Sequence, residues 1–147
     1  MTQAPLKWSG VHHLALYTRD LDATFAFYRD VLGMAVGDIA ASPRGRHGFV
    51  HLEPEATGRP GLHFWENPDL EHDVDANRRR FDSGTGVMAH VALYLPDAPS
   101  EAELRHRLAA ANIDIIEFER LGTFAFWDPN GVMVEIVPPK FDEMHPR

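Results

Sequence analysis

The sequence predicts an α+β fold made of two tandem modules, each with the order strand, helix and three strands. An internal repeat is the first observation that predicts it: HLALYTRD at residues 13–20 returns as HVALYLPD at residues 90–97, 77 positions later (13 to 90). The second observation is the change of hydrophobic period, because each copy starts with strand alternation and continues with helical spacing.

The repeat continues into the later strands of each copy. FVHLEP at 49–54 is similar to FAFWDP at 124–129, and GLHFWEN at 61–67 is similar to MVEIVPP at 133–139. On this alignment His51 matches Phe126, and His63 and Glu135 occupy equivalent positions. Two copies of this length indicate a pseudo-symmetric unit and not a solenoid.

The length of 147 residues is sufficient for one well-buried core. We therefore expect a single domain spanning residues 1–147. It contains module one at about 10–67, a linker at about 68–86 and module two at about 87–139. Within the linker, one or two helical turns are expected, and Arg78, Arg79 and Arg80 are interpreted as part of a solvated face.

Module one begins with a strand at 11–18, where apolar and other side chains alternate. Asp20 is placed to cap the following helix, and Gly33 is suited to end it. The apolar residues of this helix recur at helical spacing: Leu21, Phe25, Tyr28 and Leu32. Three further strands are predicted at roughly 35–41, 47–53 and 61–66.

Module two repeats this order. Its first strand is predicted at 87–95, and its helix at about 100–111 is opened by the capping box Ser100-Glu101-Ala102-Glu103. Three strands follow near 113–119, 122–127 and 132–137, with a tight turn at Asp128-Pro129-Asn130-Gly131.

The composition excludes several function classes. A net charge of −8 and a pI near 5.5 argue against nucleic acid as a partner. Without cysteine, disulfides, thiolate metal sites and cysteine nucleophiles are excluded. No apolar run approaches the roughly 20 residues that span a bilayer, and no signal peptide is recognisable, so we expect a cytoplasmic protein without membrane contact.

Side-chain alternation places four potential metal ligands on the faces that the apolar residues leave open. His13 and His90 alternate with leucines on the first strands. On the fourth strands His63 stands between Leu62 and Phe64, and Glu135 stands between Val134 and Ile136. An ionised glutamate among apolar neighbours requires a partner, and no lysine or arginine lies on these strands. A divalent cation is the expected partner. Nitrogen and oxygen donors suit Fe²⁺, Mn²⁺, Ni²⁺, Co²⁺ or Zn²⁺.

Other side chains receive secondary roles. His51 is a candidate acid or base. His12 is expected either to be structural or to support a neighbouring ligand residue, and Glu66 is expected to point away from the histidines. His47, His72, His106 and His145 are interpreted as loop or surface residues. An aromatic set forms either a wall around a ligand or part of the core: Tyr17, Trp65, Tyr94, Phe124 and Phe126.

The chain resembles the vicinal oxygen chelate superfamily, which includes glyoxalases, fosfomycin resistance enzymes, extradiol dioxygenases and bleomycin resistance proteins. The segments VHHLALYTRDLDATFAFYRDVLGM, MAHVALYLPD and FAFWDPNGVMVEI carry the resemblance, which covers nearly all of residues 10–139. It implies two βαβββ modules whose mixed sheets curl into an open cup, and it implies completion of the cup by a homodimer.

The resemblance also implies a ligand set of His13, His90 and Glu135. Glyoxalase I has glutamate and methylmalonyl-CoA epimerase has glutamine where this chain has His63, which is therefore either a fourth ligand or a base. Fosfomycin enzymes and extradiol dioxygenases need only two histidines and one glutamate. His51 and Tyr94 are candidates for acid and base work.

Two classes of function follow from the resemblance. The first is a metal-dependent enzyme that chelates neighbouring oxygens of a small, possibly aromatic substrate, with lyase, isomerase and ring-cleaving dioxygenase (oxidoreductase) chemistry all open. The alternative is a metal-free small-molecule or antibiotic-binding protein of the bleomycin resistance kind. Retention of His13, His90 and Glu135 favours the enzyme.

Overall fold

The computed structural model describes residues 10–52, 61–70, 74–85 and 88–141. Module one contains β1 (Leu14–Thr18), α1 (Leu21–Ala26), a π-helical segment (Phe27–Val31), β2 (Ala35–Val36), β3 (Ala40–Ser42), β4 (Gly45–His51) and β5 (Leu62–Glu66). Helix α2 (Val74–Ser83) follows. Module two contains β6 (Val91–Tyr94), α3 (Ala98–Ala110), β7 (Ile116–Phe118), β8 (Thr123–Trp127) and β9 (Met133–Val137).

The strands form two mixed sheets, which confirms the predicted α+β class. The first sheet has the order β1-β5-β4-β2, with β3 also paired to β4, and the second has the order β6-β9-β8-β7. In each sheet the first and last strands of the module are parallel neighbours, and the remaining pairs are antiparallel. The first strand of each module, β1 or β6, therefore lies at a sheet edge.

The first helix starts where the sequence predicts but changes its winding. The Asp20 side chain accepts a hydrogen bond of 2.9 Å from the backbone N–H of Ala23, which confirms the predicted cap. After Ala26 the chain continues as a π-helical segment, in which the N–H of Leu32 bonds the carbonyl of Phe27. Gly33 has a φ of 71°, the left-handed conformation that ends helices.

Several predicted elements differ from those in the structure. The strand predicted at 35–41 is divided into β2 and β3, which both pair with β4. Helix α3 begins after Asp97, whose side chain accepts from the N–H of Ser100 at 2.8 Å, so the cap lies three residues before the predicted capping box. The linker holds α2, a helix of 10 residues instead of one or two turns.

None of the described helices is both long and apolar enough to cross a bilayer.

One hydrophobic cluster joins the two modules. We call the sheet faces that contribute to it the inner faces and the opposite faces the outer faces. The buried members of the cluster come from both sheets, α1, the π-helical segment and α3: Leu21, Phe25, Phe27, Tyr28, Val50, Leu62, Phe64, Leu93, Leu104, Leu108, Phe124, Phe126, Val134 and Ile136. The inner faces of both sheets are thus turned toward one core, and the outer faces are turned away from it.

A buried polar network also links the modules. The Tyr28 hydroxyl donates to Asp128 Oδ2 at 3.1 Å, and Asp128 Oδ1 accepts from the N–H groups of Asn130 and Val132 at 2.9 and 2.8 Å. Asn130 Nδ2 donates to the Thr24 hydroxyl at 3.2 Å. Burial raises the pKa of Asp128, and burial followed by the Asp128 charge raises that of Tyr28. The network fixes the turn that leads into β9.

Candidate functional site

The outer face of the second sheet holds a histidine–carboxylate pair. His90 precedes β6, and its Nε2 lies 2.9 Å from Glu135 Oε2 on β9. The other carboxylate oxygen, Oε1, accepts a hydrogen bond of 2.6 Å from the Thr123 hydroxyl on β8. The side chain of Glu135 is 11% exposed and that of His90 is 40% exposed. Glu135 is therefore held by two partners, with the imidazole on the solvent side.

The sequence led us to expect a cation as the partner of the Glu135 carboxylate, and the structure shows partners within the chain. A buried carboxylate does need a partner, but His90 and Thr123 supply hydrogen bonds to Glu135 from within the chain. Thr123 was not singled out by sequence analysis, although it lies on the same outer face of β8 as Ala125, which is opposite Glu135. A side chain at this register position can reach the carboxylate diagonally across the two strands.

The outer face of the first sheet holds a cluster of imidazoles and aromatic rings around His63. The His63 ring stacks on Phe49 with centroids 4.1 Å apart and meets the His13 ring edge-on at 5.4 Å. Trp65 is tilted against it at 4.9 Å. His63 is only 7% exposed. Burial, followed by the charges of His47 and His13, lowers the pKa of His63, which favours a neutral ring.

His47 belongs to this cluster, and its assignment as a loop or surface residue was wrong. It lies on β4, where its Nδ1 is 3.1 Å from His63 Nε2. Its ring stacks on Trp65, with centroids 4.3 Å apart and an interplanar angle of 25°. The side chain is half-buried. His47 is thus a direct neighbour of a predicted site residue.

Cross-strand pairing explains why the sequence missed this contact. Phe49 lies opposite His63 in module one, and Ala125 lies opposite Glu135 in module two. If His63 and Glu135 are equivalent, Phe49 is the counterpart of Ala125. The alignment of FVHLEP with FAFWDP, which matched His51 with Phe126, is therefore wrong by one residue.

The corrected register makes His47 the counterpart of Thr123. His47 lies on β4 and Thr123 lies on β8, the next-to-last strands of their modules. Each is two residues before the residue that pairs with His63 or Glu135. Both contact that site residue across the strands, at 3.1 and 2.6 Å. Once the strand pairing of one module is known, the repeat identifies the corresponding residue in the other.

The two halves of the predicted ligand set are not brought together within one chain. Among the described residues, one group of three or more imidazole and carboxylate side chains has donor atoms mutually within 4.8 Å, and it contains Asp20, Asp22 and Glu66. His13, His90 and Glu135 are all described and form no such group. His13 lies just before β1 of the first sheet, whereas His90 lies just before β6 and Glu135 lies on β9 of the second sheet.

The acidic group at Asp20, Asp22 and Glu66 could hold a metal ion, but it already has cationic and N–H partners. Arg46 pairs with Asp22 at 2.8 Å and with Glu66 at 3.2 Å. Glu66 Oε1 also accepts from the N–H of Leu21 at the start of α1. Glu66 therefore points away from the histidines, as predicted, and Arg46 is part of an ion-pair network.

The remaining predicted residues occupy separate places. His51 is half-buried on the outer face of β4, opposite Ala35. Tyr94 is 57% exposed and borders a groove of about 590 Å³ between the two modules. His12 is exposed, and its Nδ1 lies 2.8 Å from His13 Nδ1. The tautomers decide which nitrogen donates.

The predicted aromatic wall is divided between the core and the outer faces. Phe124 and Phe126 are fully buried in the core, so they do not line the outer face. Trp65 lies in the His63 cluster, and Tyr17 is 63% exposed on β1. In the linker, Arg78, Arg79 and Arg80 are exposed, as expected, and the guanidinium of Arg78 lies 5.6 Å from the Trp127 ring centre.

Comparisons with solved structures identify proteins with a similar fold. A glyoxylase/bleomycin resistance protein/dioxygenase domain from Frankia sp. EAN1pec is 19% identical, with 90% of this chain and 93% of that chain covered and a TM-score of 0.69. The fosfomycin resistance protein FosX from Listeria monocytogenes is 16% identical, with 96% and 100% covered and a TM-score of 0.65. FosX has also been crystallised with Mn(II) and sulfate.

An antibiotic-binding protein has a similar fold as well. TnmS3 from Streptomyces sp. CB03234 is 14% identical, with 92% of this chain and 99% of that chain covered and a TM-score of 0.58. A search of curated proteins gives no match. Proteins of this fold thus include both a metal-binding resistance protein and an antibiotic-binding protein.

The match that identifies the family comes from the sequence. The model of the Glyoxalase/Bleomycin resistance protein/Dioxygenase superfamily matches residues 10–136, which include both modules and all four predicted ligands. The two mixed, open sheets agree with that fold. The chain therefore belongs to the glyoxalase/bleomycin resistance protein/dioxygenase superfamily.

Proposed function

We propose that this protein is a divalent-metal-dependent enzyme that binds two neighbouring oxygens of a small substrate. Each metal site combines His13 of one chain with His90 and Glu135 of a second copy. The reaction class is lyase, isomerase or ring-cleaving dioxygenase chemistry. The observation that carries this proposal is the His90–Glu135 pair, which Thr123 orients on an outer sheet face.

The geometry of that pair suits a metal ion. Two ligands that bind one cation at 2.0–2.1 Å lie about 3 Å from each other. The separation of 2.9 Å between His90 Nε2 and Glu135 Oε2 meets this requirement. Imidazole nitrogen and carboxylate oxygen both suit Mn(II), Fe(II), Ni(II), Co(II) and Zn(II). FosX, which shares the fold, has been crystallised with Mn(II).

The position of the first strands supports a site shared between two copies. Both β1 and β6 are edge strands, and exposed apolar side chains lie on or just before them: Val11, Tyr17, Met88 and Tyr94. Exposed apolar patches are typical of protein interfaces. A twofold axis that sets β1 of one copy beside β6 of the other would create two equivalent contacts. Each contact would bring His13 to the partner's His90–Glu135 pair.

Each described residue then has a defined task. A bound cation would stabilise negative charge that develops on the substrate oxygens. His90 and Glu135 would hold the cation, and the Thr123 hydrogen bond would fix the orientation of the carboxylate. His63, among Phe49 and Trp65, would accept or donate a proton at a face from which those rings exclude water. His51 and Tyr94 are further candidates for proton transfer.

The alternative function is a metal-free binding protein. One observation favours it: His90 and Thr123 already satisfy the Glu135 carboxylate within the chain. In this case the rings around His63 would bind an aromatic ligand by stacking, and TnmS3 shows that this fold occurs in an antibiotic-binding protein.

Metal content separates the two functions. We expect protein purified without chelators to contain a divalent transition metal by elemental analysis, and a His13→Ala/His90→Ala double variant to contain little, because two ligands are gone. His106→Ala, at an exposed position of α3, is the control and should keep the metal. Equal, negligible metal in the wild type and the double variant would rule out the metalloenzyme.

The metal that restores activity then distinguishes the reaction classes. Oxygen consumption that requires Fe(II) supports a dioxygenase, whereas activity with Mn(II), Co(II) or Ni(II) and no oxygen uptake supports a lyase or isomerase.

A further inference from the structure

We propose that His47 is a positioning residue that keeps His63 out of the metal coordination sphere. The inference rests on the proposed metal site and concerns the number of protein ligands in it. The contact that carries it is the distance of 3.1 Å between His47 Nδ1 and His63 Nε2. In this arrangement His13, His90 and Glu135 are the protein ligands, and His63 is a hydrogen-bonding group beside them.

The strand order shows which way the His63 ring is turned. His63 lies on β5, with Ala15 of β1 on one side and Phe49 of β4 on the other. Its ring stacks on Phe49, and its Nε2 faces His47, which is also on β4. His13 lies on the β1 side. The Nε2 atom of His63 is therefore directed across the sheet, away from the edge strand at which the metal site is proposed.

Module two provides an internal comparison. Thr123, the counterpart of His47, binds one oxygen of Glu135 and leaves the second oxygen directed at His90. A carboxylate can do both because its two oxygens lie close together and both accept hydrogen bonds. An imidazole has two nitrogens on different sides of the ring. When Nε2 of His63 is committed to His47, Nδ1 alone remains for another partner.

The contact between the two imidazoles requires a proton on one of the two facing nitrogens. One nitrogen of the pair carries the shared proton and the other accepts it. Stacking of His47 on Trp65 and of His63 on Phe49 fixes both ring planes. For Nε2 of His63 to bind a metal, its hydrogen bond to His47 would have to break and its ring would have to leave the stack on Phe49. Both losses oppose ligation of a metal by this nitrogen.

The consequence concerns the substrate. A cation held by three protein ligands would keep more positions open for substrate oxygens than one held by four. A fourth protein ligand would remove one of these positions. His47 would thus determine how many positions the substrate can use, and His63 would be left to bond the substrate itself.

The test is a double-mutant cycle on Co(II) binding, read by affinity and by the visible absorption of the bound ion. The single variant His63→Ala should bind Co(II) with the affinity of the wild type. His47→Phe keeps a ring on Trp65 but releases His63, so we expect roughly 10-fold tighter Co(II) binding and an altered absorption spectrum, as for the gain of one ligand. In the His47→Phe/His63→Ala variant both changes should disappear.

Two further variants control for indirect effects. His47→Asn places a side-chain amide near the position of Nδ1, where it can still hydrogen-bond His63, and should keep the wild-type spectrum. His106→Phe, on the exposed face of α3, should change neither readout. Circular dichroism of every variant before Co(II) is added verifies that the fold is intact.

The outcomes distinguish this inference from the function on which it rests. Weaker Co(II) binding by His63→Ala in the otherwise unaltered chain would overturn the inference, since His63 would then be a ligand, and would leave the metal site standing. An unchanged spectrum in His47→Phe would also overturn it. Failure of the wild type to bind any Co(II) would overturn both.

Discussion

Glu135→Gln is expected to abolish tight binding of divalent metal while leaving the fold intact. Glutamine has the same shape and can still accept the hydrogen bond from Thr123, which stabilises the position of the side chain. It lacks the charge and the second acceptor oxygen that faces His90. Loss of a residue that merely orients a ligand costs about 10–100-fold in metal affinity, so loss of the charged ligand itself should cost more than about 100-fold.

Titration with Mn(II) or Co(II) measures this loss, and Thr123→Val gives the graded comparison. Valine retains the volume of Thr123 but cannot hydrogen-bond Glu135 Oε1, and the expected reduction in affinity is about 10-fold or more. Glu119→Gln alters an exposed glutamate outside the site and should have no effect. Wild-type affinity in Glu135→Gln would remove this carboxylate from the proposed ligand set.

Asp128→Ala is expected to destabilise the fold by about 3 kcal/mol or more, because it leaves several buried donors without an acceptor. The donors are the Tyr28 hydroxyl, the N–H groups of Asn130 and Val132, and the side-chain amide of Asn130. Tyr28→Phe removes a single hydrogen bond and should cost about 1 kcal/mol. Urea unfolding at a fixed protein concentration compares the two. Equal losses would show that Asp128 is not the centre of the network.

The same carboxyl should make stability depend on pH. Burial raises the pKa of Asp128 in the folded state above its unfolded value of about 3.9. Its contribution to stability is therefore complete below that unfolded pKa and is lost as the pH rises through the folded pKa. The Asp128→Asn variant serves as the reference, because asparagine has no titrating group at this position. The stability of the wild type relative to Asp128→Asn should fall as the pH rises; a constant difference would contradict the raised pKa.

Much of the fold could be predicted from the repeat. The octets at 13–20 and 90–97 fix the first strand of each module, and Asp20 caps a helix in the predicted place. Asp97 has the same position in the second octet and caps α3, so the repeat was a better guide than the local capping box. The π-helical segment could not be predicted, since its residues also fit α-helical spacing.

Side-chain alternation correctly predicted that His63 and Glu135 lie on the outer faces, because leucine, phenylalanine, valine and isoleucine side chains fill the inner faces. It could not reveal Thr123 and His47, because contacts between strands depend on register, and a shift of one residue moves every side chain to the other face. Side-chain alternation also could not reveal that the outer faces carrying His63 and Glu135 belong to two different sheets, which pack on one shared core. Sequence periodicity within one module contains no information on how two sheets are arranged.

The most direct test of the central claim is complementation between two defective chains. His13→Ala retains His90 and Glu135, and Glu135→Gln retains His13, so neither variant alone should bind metal tightly. A heterodimer isolated through two different affinity tags would combine the intact residues in one of its two sites. If the site is shared between copies, this heterodimer should bind about half as much Co(II) as the wild-type dimer. A heterodimer that binds no more Co(II) than either variant alone would contradict the account.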